Sequence, residues 1–170
     1  ERGYIPLSFN VAPEHVSVHW DVVDQSAKRM GRKADRSNWR HIREIYVADT
    51  AKDARNAVLN GFAAEFWDTY FQVIVERLDI AYLFRRSGAP ADTPVNAQIL
   101  VDNGTWFVGD HYQVVEQIVE QSNLSGGFGV LLQMGFDYAD PGAREGWMRS
   151  MELLSTEVMP RVNRALGQPG

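Results

Sequence analysis

Apolar positions along this chain switch repeatedly between a spacing of three to four and short alternating or unbroken runs, the pattern of helices interleaved with strands. The sharpest run is Gly126-Gly127-Phe128-Gly129-Val130-Leu131-Leu132-Gln133-Met134-Gly135-Phe136-Asp137. It is flanked by glycines and closes in the polar turn Asp137-Tyr138-Ala139-Asp140-Pro141. An apolar strand set between two helices is buried on both faces, which predicts a parallel sheet with crossover helices. Such sheets collect their working groups at the carboxyl ends of the strands.

Three further strand–helix units precede that run. Tyr4, Ile5, Leu7 and Phe9 mark a short strand, although Pro6 cannot donate to a sheet ladder. Pro13 and Glu14 then open a helix carrying Val16, Trp20, Val23 and Met30, with Gly31 as its stop. Residues 39–49 alternate, with Ile42, Tyr46 and Ala48 on one side and His41, Arg43, Ile45 and Val47 on the other. Thr50 and Asp53 have capping-box spacing at the head of a long helix over about 51–83, broken or bent at Gly61. Phe62, Phe66, Trp67, Tyr70 and Phe71 sit at helical spacing and read as core or partner surface before they read as a cofactor stack.

Residues at about 84–105 form an irregular insertion rich in glycine and proline, with a helical turn near 95–100, a kind of segment that often serves as a lid or binding loop. Within it Arg85-Arg86 reads by default as a solvated turn. Trp106-Phe107-Val108 is the third strand, and Asp110 caps a helix bearing Val114, Ile118 and Val119. The last helix, over about 141–166, has Trp147, Met151, Leu154, Val158 and Val162 as its expected buried stripe.

Four βα units laid side by side by right-handed crossovers amount to half of an eight-stranded barrel. A free half-barrel leaves long sheet edges exposed, which proteins avoid. The expected fold class is therefore α/β, the carboxyl-terminal half of a (β/α)8 barrel over 1–170, with its other half elsewhere.

Composition narrows the function classes. Seventeen basic and 22 acidic side chains leave a formal charge of −5, which argues against a nucleic-acid partner. The apolar runs are far shorter than a membrane span. With no cysteine, thiolate catalysis, disulfides and iron–sulfur clusters are excluded. The absence of cysteine and of a recognisable secretory signal is compatible with a cytoplasmic location, which we expect. The first residue is Glu1, so a processed, truncated or partial chain is expected. His15 and His19 share a helix face, but no third ligand at suitable spacing completes a metal site, and none is expected.

An ordered set of motifs resembles the end of the bacterial luciferase-like flavin monooxygenases. It comprises Phe107-Val108-Gly109-Asp110 with Val114-Val115-Glu116-Gln117-Ile118, then Gly126-Gly127-Phe128-Gly129 and Gly135-Phe136-Asp137-Tyr138-Ala139-Asp140. Ser150-Met151-Glu152-Leu153-Leu154 and Glu157-Val158-Met159-Pro160 fit the final helix of that family. Trp39-Arg40, Arg43-Glu44-Ile45-Tyr46-Val47-Ala48-Asp49-Thr50 and Ala54-Arg55 look like its sixth strand and following helix, and Arg2-Gly3-Tyr4-Ile5-Pro6-Leu7-Ser8 its fifth. Likeness is greatest to the limonene-monooxygenase-like branch and weakest over 57–105.

The resemblance implies a barrel that binds reduced FMN supplied by a separate flavin reductase. Dioxygen adds to the flavin, and the peroxyflavin oxidises a small organic substrate. The half-barrel count leads us to expect partnership with the amino-terminal half of the same barrel, and the aromatic-rich helix (Phe62 to Phe71) a homodimer. Two other readings stay open: an F420-dependent oxidoreductase of the same fold, and a non-catalytic α/β module that assembles through its sheet edge and aromatic helix.

The family binds part of its flavin in the loop after the fifth strand, which here is Ser8-Phe9-Asn10-Val11. Ser8, Phe9 and Asn10 are thus implied cofactor contacts, with His15 a further donor one turn along and Asp137 at the edge after the last strand. The plainer alternatives are that Ser8 and Asn10 cap the following helix, that His15 is a surface residue, and that the turn around Asp137 serves Asp140 as N-cap. Arg43 on an otherwise apolar strand needs either an internal acid such as Glu44 or an anionic ligand. Gln133 needs a partner if buried. No catalytic residue is identified.

Overall fold

The computed structural model describes residues 4–135 and 140–167. The strands are β1 (Leu7–Ser8), β2 (Arg40–Val47), β3 (Phe107–Gly109) and β4 (Val130–Met134). The helices are α1 (Pro13–Ser17), α2 (His19–Arg29), α3 (Ala51–Leu59), α4 (Phe62–Phe66), α5 (Gln72–Arg77), α6 (Ala97–Asp102), α7 (His111–Ser125), α8 (Pro141–Leu153) and α9 (Met159–Ala165). Every strand pairing is parallel, as the interleaved pattern requires.

The order of the strands differs from the side-by-side series. β2 pairs with all three others: Leu7 stands opposite Arg40, Ile45 opposite Phe107, and Arg40 opposite Val130. β4 therefore lies on β2 instead of on β3. The cause is local. Gly126 and Gly127 adopt φ of 70° and 93°, a region that side chains disfavour, and turn the chain beneath Trp39. The N–H groups of Gly129 and Val130 both donate to the Trp39 carbonyl, which starts β4 at the first residue of β2. β2 then pairs with β4 along Arg40–Glu44 and with β3 along Ile45–Val47.

Two apolar cores flank this sheet. One gathers Trp20, Trp39, Tyr46, Val58, Trp67, Leu100, Trp106 and Trp147, and so joins α2, α3, the 62–77 helical run, α6 and α8. The other packs Ile45, Val47 and Phe107 of the strands against Val114 and Ile118 of α7 and Leu153, Val158 and Val162 of the last helices. Burying a side chain such as Ile118 fully contributes about 1.5–3 kcal/mol, and Ile118 is 1% exposed.

Local signals set most helix ends. The Thr50 hydroxyl accepts from the Asp53 N–H. Asp110 and Gln113 form a reciprocal capping box at the head of α7. Asp140 accepts from Gly142 and Ala143 ahead of Pro141. The long helix does break at Gly61, but it ends at Arg77, because Asp79 turns to φ 55° and a short 3-10 turn, Ala81–Phe84, follows.

The last helix departs from its expected stripe for a definable reason. Residues Leu154–Val158 form a π turn, which inserts one residue into the helical period. The buried series becomes Trp147, Ser150, Leu153, Val158 and Val162, stepping five residues across the turn, while Met151 is exposed. A second π turn, Trp67–Phe71, lies in the aromatic run. There Trp67 packs on Phe71, Phe84 and Trp106 and donates its indole N–H to the Val95 carbonyl. Phe84, Val95 and Leu100 are buried, so the 84–105 segment is packed into the core and held by Asn103 Nδ2 on the Phe84 carbonyl at 2.8 Å.

Candidate functional site

Alternation on β2 puts His41, Arg43, Ile45 and Val47 on one face. At Arg43 that face meets the loop after β1, and a buried polar cluster results. The Arg43 guanidinium is fully buried. Its Nη1 donates to Asn10 Oδ1 at 2.9 Å, to the Val11 carbonyl at 2.6 Å and to the Thr105 carbonyl at 3.4 Å. Its Nη2 donates to Gln121 Oε1 on α7. The charge is thus held by neutral oxygens. Glu44 projects to the other face of the strand, and no ion pair joins the two among the described residues.

Ser8 completes the strand end beside this cluster. Its hydroxyl accepts from the Trp39 indole N–H at 2.8 Å and lies 3.0 Å from His19 Nδ1. Burial lowers the His19 pKa, with help from the charges of His15 and Arg43. His41 is sandwiched between Trp39 and Phe128, its ring stacked on Phe128 at 4.1 Å. Burial, and next to it the Arg43 charge, push the His41 pKa down to about 3. Burial likewise lowers Arg43 to about 10, against the pull of Glu44, and lifts Glu44 to about 7.

Four of the five expected site residues are described, and they separate into two environments. Ser8 and Asn10 point inward and are buried. Neither caps α1, whose N-cap is Ala12 and makes no side-chain bond. Phe9 faces outward, 41% exposed, with its ring 6.3 Å from that of Phe71. His15 stands edge-on to Tyr82 at 6.2 Å and makes no hydrogen bond to Ser8 or Asn10 among the described residues. Asp137 lies outside the described residues. Gln133 finds its partner in the Ile45 carbonyl at 2.8 Å.

Arg43 proves to be the residue that organises the site, and the sequence signal for it was a charge on a strand otherwise fit for burial. Gln121 and Thr105 carried no such signal. They come from a helix and a turn far along the chain, and only the tertiary fold brings them to Arg43.

An anionic, flat cofactor needs hydrogen-bond donors without other partners beside an apolar surface. Asn10 Nδ2 is buried and has no partner. Arg43 fixes that amide, because its guanidinium can only donate and so holds the oxygen of Asn10 toward itself. Phe9 offers exposed apolar area on the outward side of the same loop. Asn10 thus supplies an unpartnered donor of the kind such a group needs and Phe9 an apolar surface, in separate environments; the Ser8 hydroxyl already accepts from Trp39.

No family model matches the chain. It is 29% identical over 162 residues to 3,6-diketocamphane 1,6-monooxygenase of Pseudomonas putida, covering 95% of this chain and 42% of that protein. It is 27% identical over 157 residues to limonene 1,2-monooxygenase of Rhodococcus erythropolis, covering 92% of this chain and 37% of the relative. Its backbone matches the FMN-bound oxygenating constituent of 3,6-diketocamphane monooxygenase, a type II Baeyer–Villiger enzyme from the CAM plasmid of Pseudomonas putida, with a TM-score of 0.83. That match covers 95% of this chain and 43% of the other, at 29% identity. In sequence and in backbone the chain is thus a relative of the luciferase-like flavin-dependent monooxygenases, spanning less than half the length of those it matches.

Proposed function

We propose that the chain is the carboxyl-terminal half of a (β/α)8 barrel, and that the whole is an FMN-dependent monooxygenase oxidising a small organic molecule with dioxygen. The observation that carries this reading is the 0.83 TM-score to an FMN-bound oxygenase over 95% of the chain. The amino-terminal half of the barrel, a separate reductase that delivers reduced FMN, and a second copy of the protein are its partners, in the cytoplasm. Exposed Phe62, Tyr70 and Val73 on the aromatic run offer apolar surface for the second copy.

Bound FMN supplies the activation of dioxygen, chemistry that amino-acid side chains lack. This chain contributes binding and orientation. Asn10 donates from Nδ2, Arg43 holds that amide in place from the far side, and Phe9 shields the group from water. Ser8 keeps Trp39 and His19 in register behind the loop. His15 and Asp137 complete the proposed set.

The test compares the intact polypeptide with the 170-residue chain, each given photoreduced FMN, dioxygen and a panel containing diketocamphanes and limonene. Oxidation by the intact protein and none by the chain alone is expected. Robust turnover by the isolated chain overturns the half-barrel reading. Absorbance titration of the intact protein with FMN and with F420 separates the two cofactors, and failure to bind either favours an assembly module.

A further inference from the structure

We propose that Asn60-Gly61, at the junction of α3 and α4, is a site of spontaneous covalent modification, in which Asn60 becomes aspartate or isoaspartate and the junction loosens. The sequence holds two Asn-Gly pairs, Asn60-Gly61 and Asn103-Gly104. Glycine has no side chain to shield its amide nitrogen, so in either pair that nitrogen can reach the carboxamide carbon of the preceding asparagine. In both, the glycine N–H makes only a long bond, 3.4 Å from Gly61 to the Val58 carbonyl and 3.3 Å from Gly104 to the Val101 carbonyl. The restraint on the carboxamide therefore decides which pair reacts.

Asn103 is tied down at each polar group that ring closure must move. Its Nδ2 donates to the Phe84 carbonyl at 2.8 Å, its Oδ1 accepts from the Thr105 N–H at 2.9 Å, and its carbonyl accepts from Arg86 Nη1 at 2.9 Å. Phe84 and Thr105 are buried, which anchors two of these bonds in the core. Asn60 is exposed, and its Nδ2 meets only Asn56 one turn back, at 3.2 Å to the carbonyl and 2.8 Å to Oδ1. Water competes with bonds at such a surface, so they restrain little.

The reaction needs no reagent but water. The Gly61 nitrogen attacks Asn60 Cγ, a C–N bond forms, the Cγ–Nδ2 bond breaks, and ammonia leaves carrying the Gly61 amide proton. Water then opens the cyclic imide at either carbonyl, giving aspartate, or isoaspartate with the main chain routed through Cβ.

Either product harms the junction. Asn60 caps the C-terminal end of α3, where the helix dipole disfavours a negative charge. Isoaspartate also lengthens the main chain beside Gly61, where a Cβ would already stand 2.4 Å from the Ala57 carbonyl oxygen. That close approach keeps glycine at 61, and with it the labile pair. Val58 and Ala63, buried on either side of the junction, are displaced when the chain lengthens. The inference is independent of the flavin reading.

The test holds the intact polypeptide folded in mildly alkaline buffer and follows the Asn60 and Asn103 peptides by mass spectrometry, beside a sample unfolded in urea. In the folded protein Asn60 is expected to convert about tenfold faster than Asn103, the difference made by one anchored hydrogen bond of about 1.4 kcal/mol. In urea the two should convert at similar rates. Asn60→Gln, whose longer side chain closes the ring slowly, should abolish the change at 60 and leave Asn103 as it was. The aged wild type should then unfold at a lower urea concentration than aged Asn60→Gln. Equal folded rates at the two sites, a faster Asn103, a difference that persists in urea, or an aged wild type as stable as aged Asn60→Gln overturns the proposal.

Discussion

Arg43 donates to Asn10 Oδ1 at 2.9 Å, tying the interior of β2 to the loop that follows β1. The bond joins a cation that forms no ion pair among the described residues to the amide whose buried, unpartnered Nδ2 is the candidate donor to a flavin. Asn10→Ala is therefore expected to destabilise the protein by about 2 kcal/mol, the usual worth of a hydrogen bond to a charged group. Urea unfolding should show a lower midpoint with an unchanged slope. Asn10→Asp keeps the acceptor, adds an opposite charge and removes the donor. It should retain more stability than Asn10→Ala yet bind reduced FMN at least tenfold more weakly. Equal FMN affinity in Asn10→Asp and wild type removes Asn10 Nδ2 from the site.

Ser8 has a different role, and its replacement should look different. In Ser8→Ala the Trp39 indole loses its acceptor at 2.8 Å while remaining fully buried. A cost of about 1–3 kcal/mol is expected for that stranded donor. The tryptophan fluorescence of the native state should shift with it, since Trp39 also packs on Trp20 at 5.2 Å and on His41 at 4.3 Å. An unchanged unfolding midpoint counts against this account.

The pH dependence of stability should divide between Glu44 and His41. Glu44 has a folded pKa of about 7 against an ordinary 4.5, so its carboxyl binds a proton more tightly when folded. Its contribution is complete below about 4.5 and is lost as pH rises toward 7. His41 has a folded pKa of about 3 against 6.5, so it is protonated more readily when unfolded. Its contribution is present above 6.5 and is lost as pH falls toward 3. Between 4.5 and 6.5 the two oppose each other, and the wild-type profile should be nearly flat there. Glu44→Gln should leave stability rising with pH through that window, and His41→Phe should leave it falling. Parallel slopes in the two variants would show that these groups do not govern the profile.

Gly129 admits no side chain. A Cβ built there stands 1.7 Å from the Ser37 carbonyl oxygen, with backbone rather than a flexible side chain in the way. Gly129→Ala must move β4 off Trp39 or distort the 36–38 turn, at a cost of about 3 kcal/mol or more. Hydrogen exchange should accelerate at Val130, whose N–H bonds to the Trp39 carbonyl at 3.2 Å. Protection equal to wild type would show that the turn yields easily.

Much of this architecture was legible from local pattern. The four strands, the caps at Thr50, Asp110 and Asp140, the break at Gly61 and the parallel arrangement all rest on nearest-neighbour chemistry: apolar period, side-chain oxygens at N-caps, and glycine where a chain must turn. The resemblance to flavin monooxygenases was legible for the same reason, since its motifs lie in those strands and turns.

What sequence could not determine depended on distance along the chain. That β4 lies against β2, that a π turn shifts the last helix by one residue, and that Ser8 and Asn10 face inward while Phe9 faces outward all follow from packing. Arg43 meets Asn10, Thr105 and Gln121 across separations of 33, 62 and 78 residues. A buried guanidinium announces in the sequence that it needs oxygens. Which oxygens reach it is decided only when β2, α7 and the loop after β1 are brought together, because hydrogen bonds act over about 3 Å and the chain's local signals extend only a few residues.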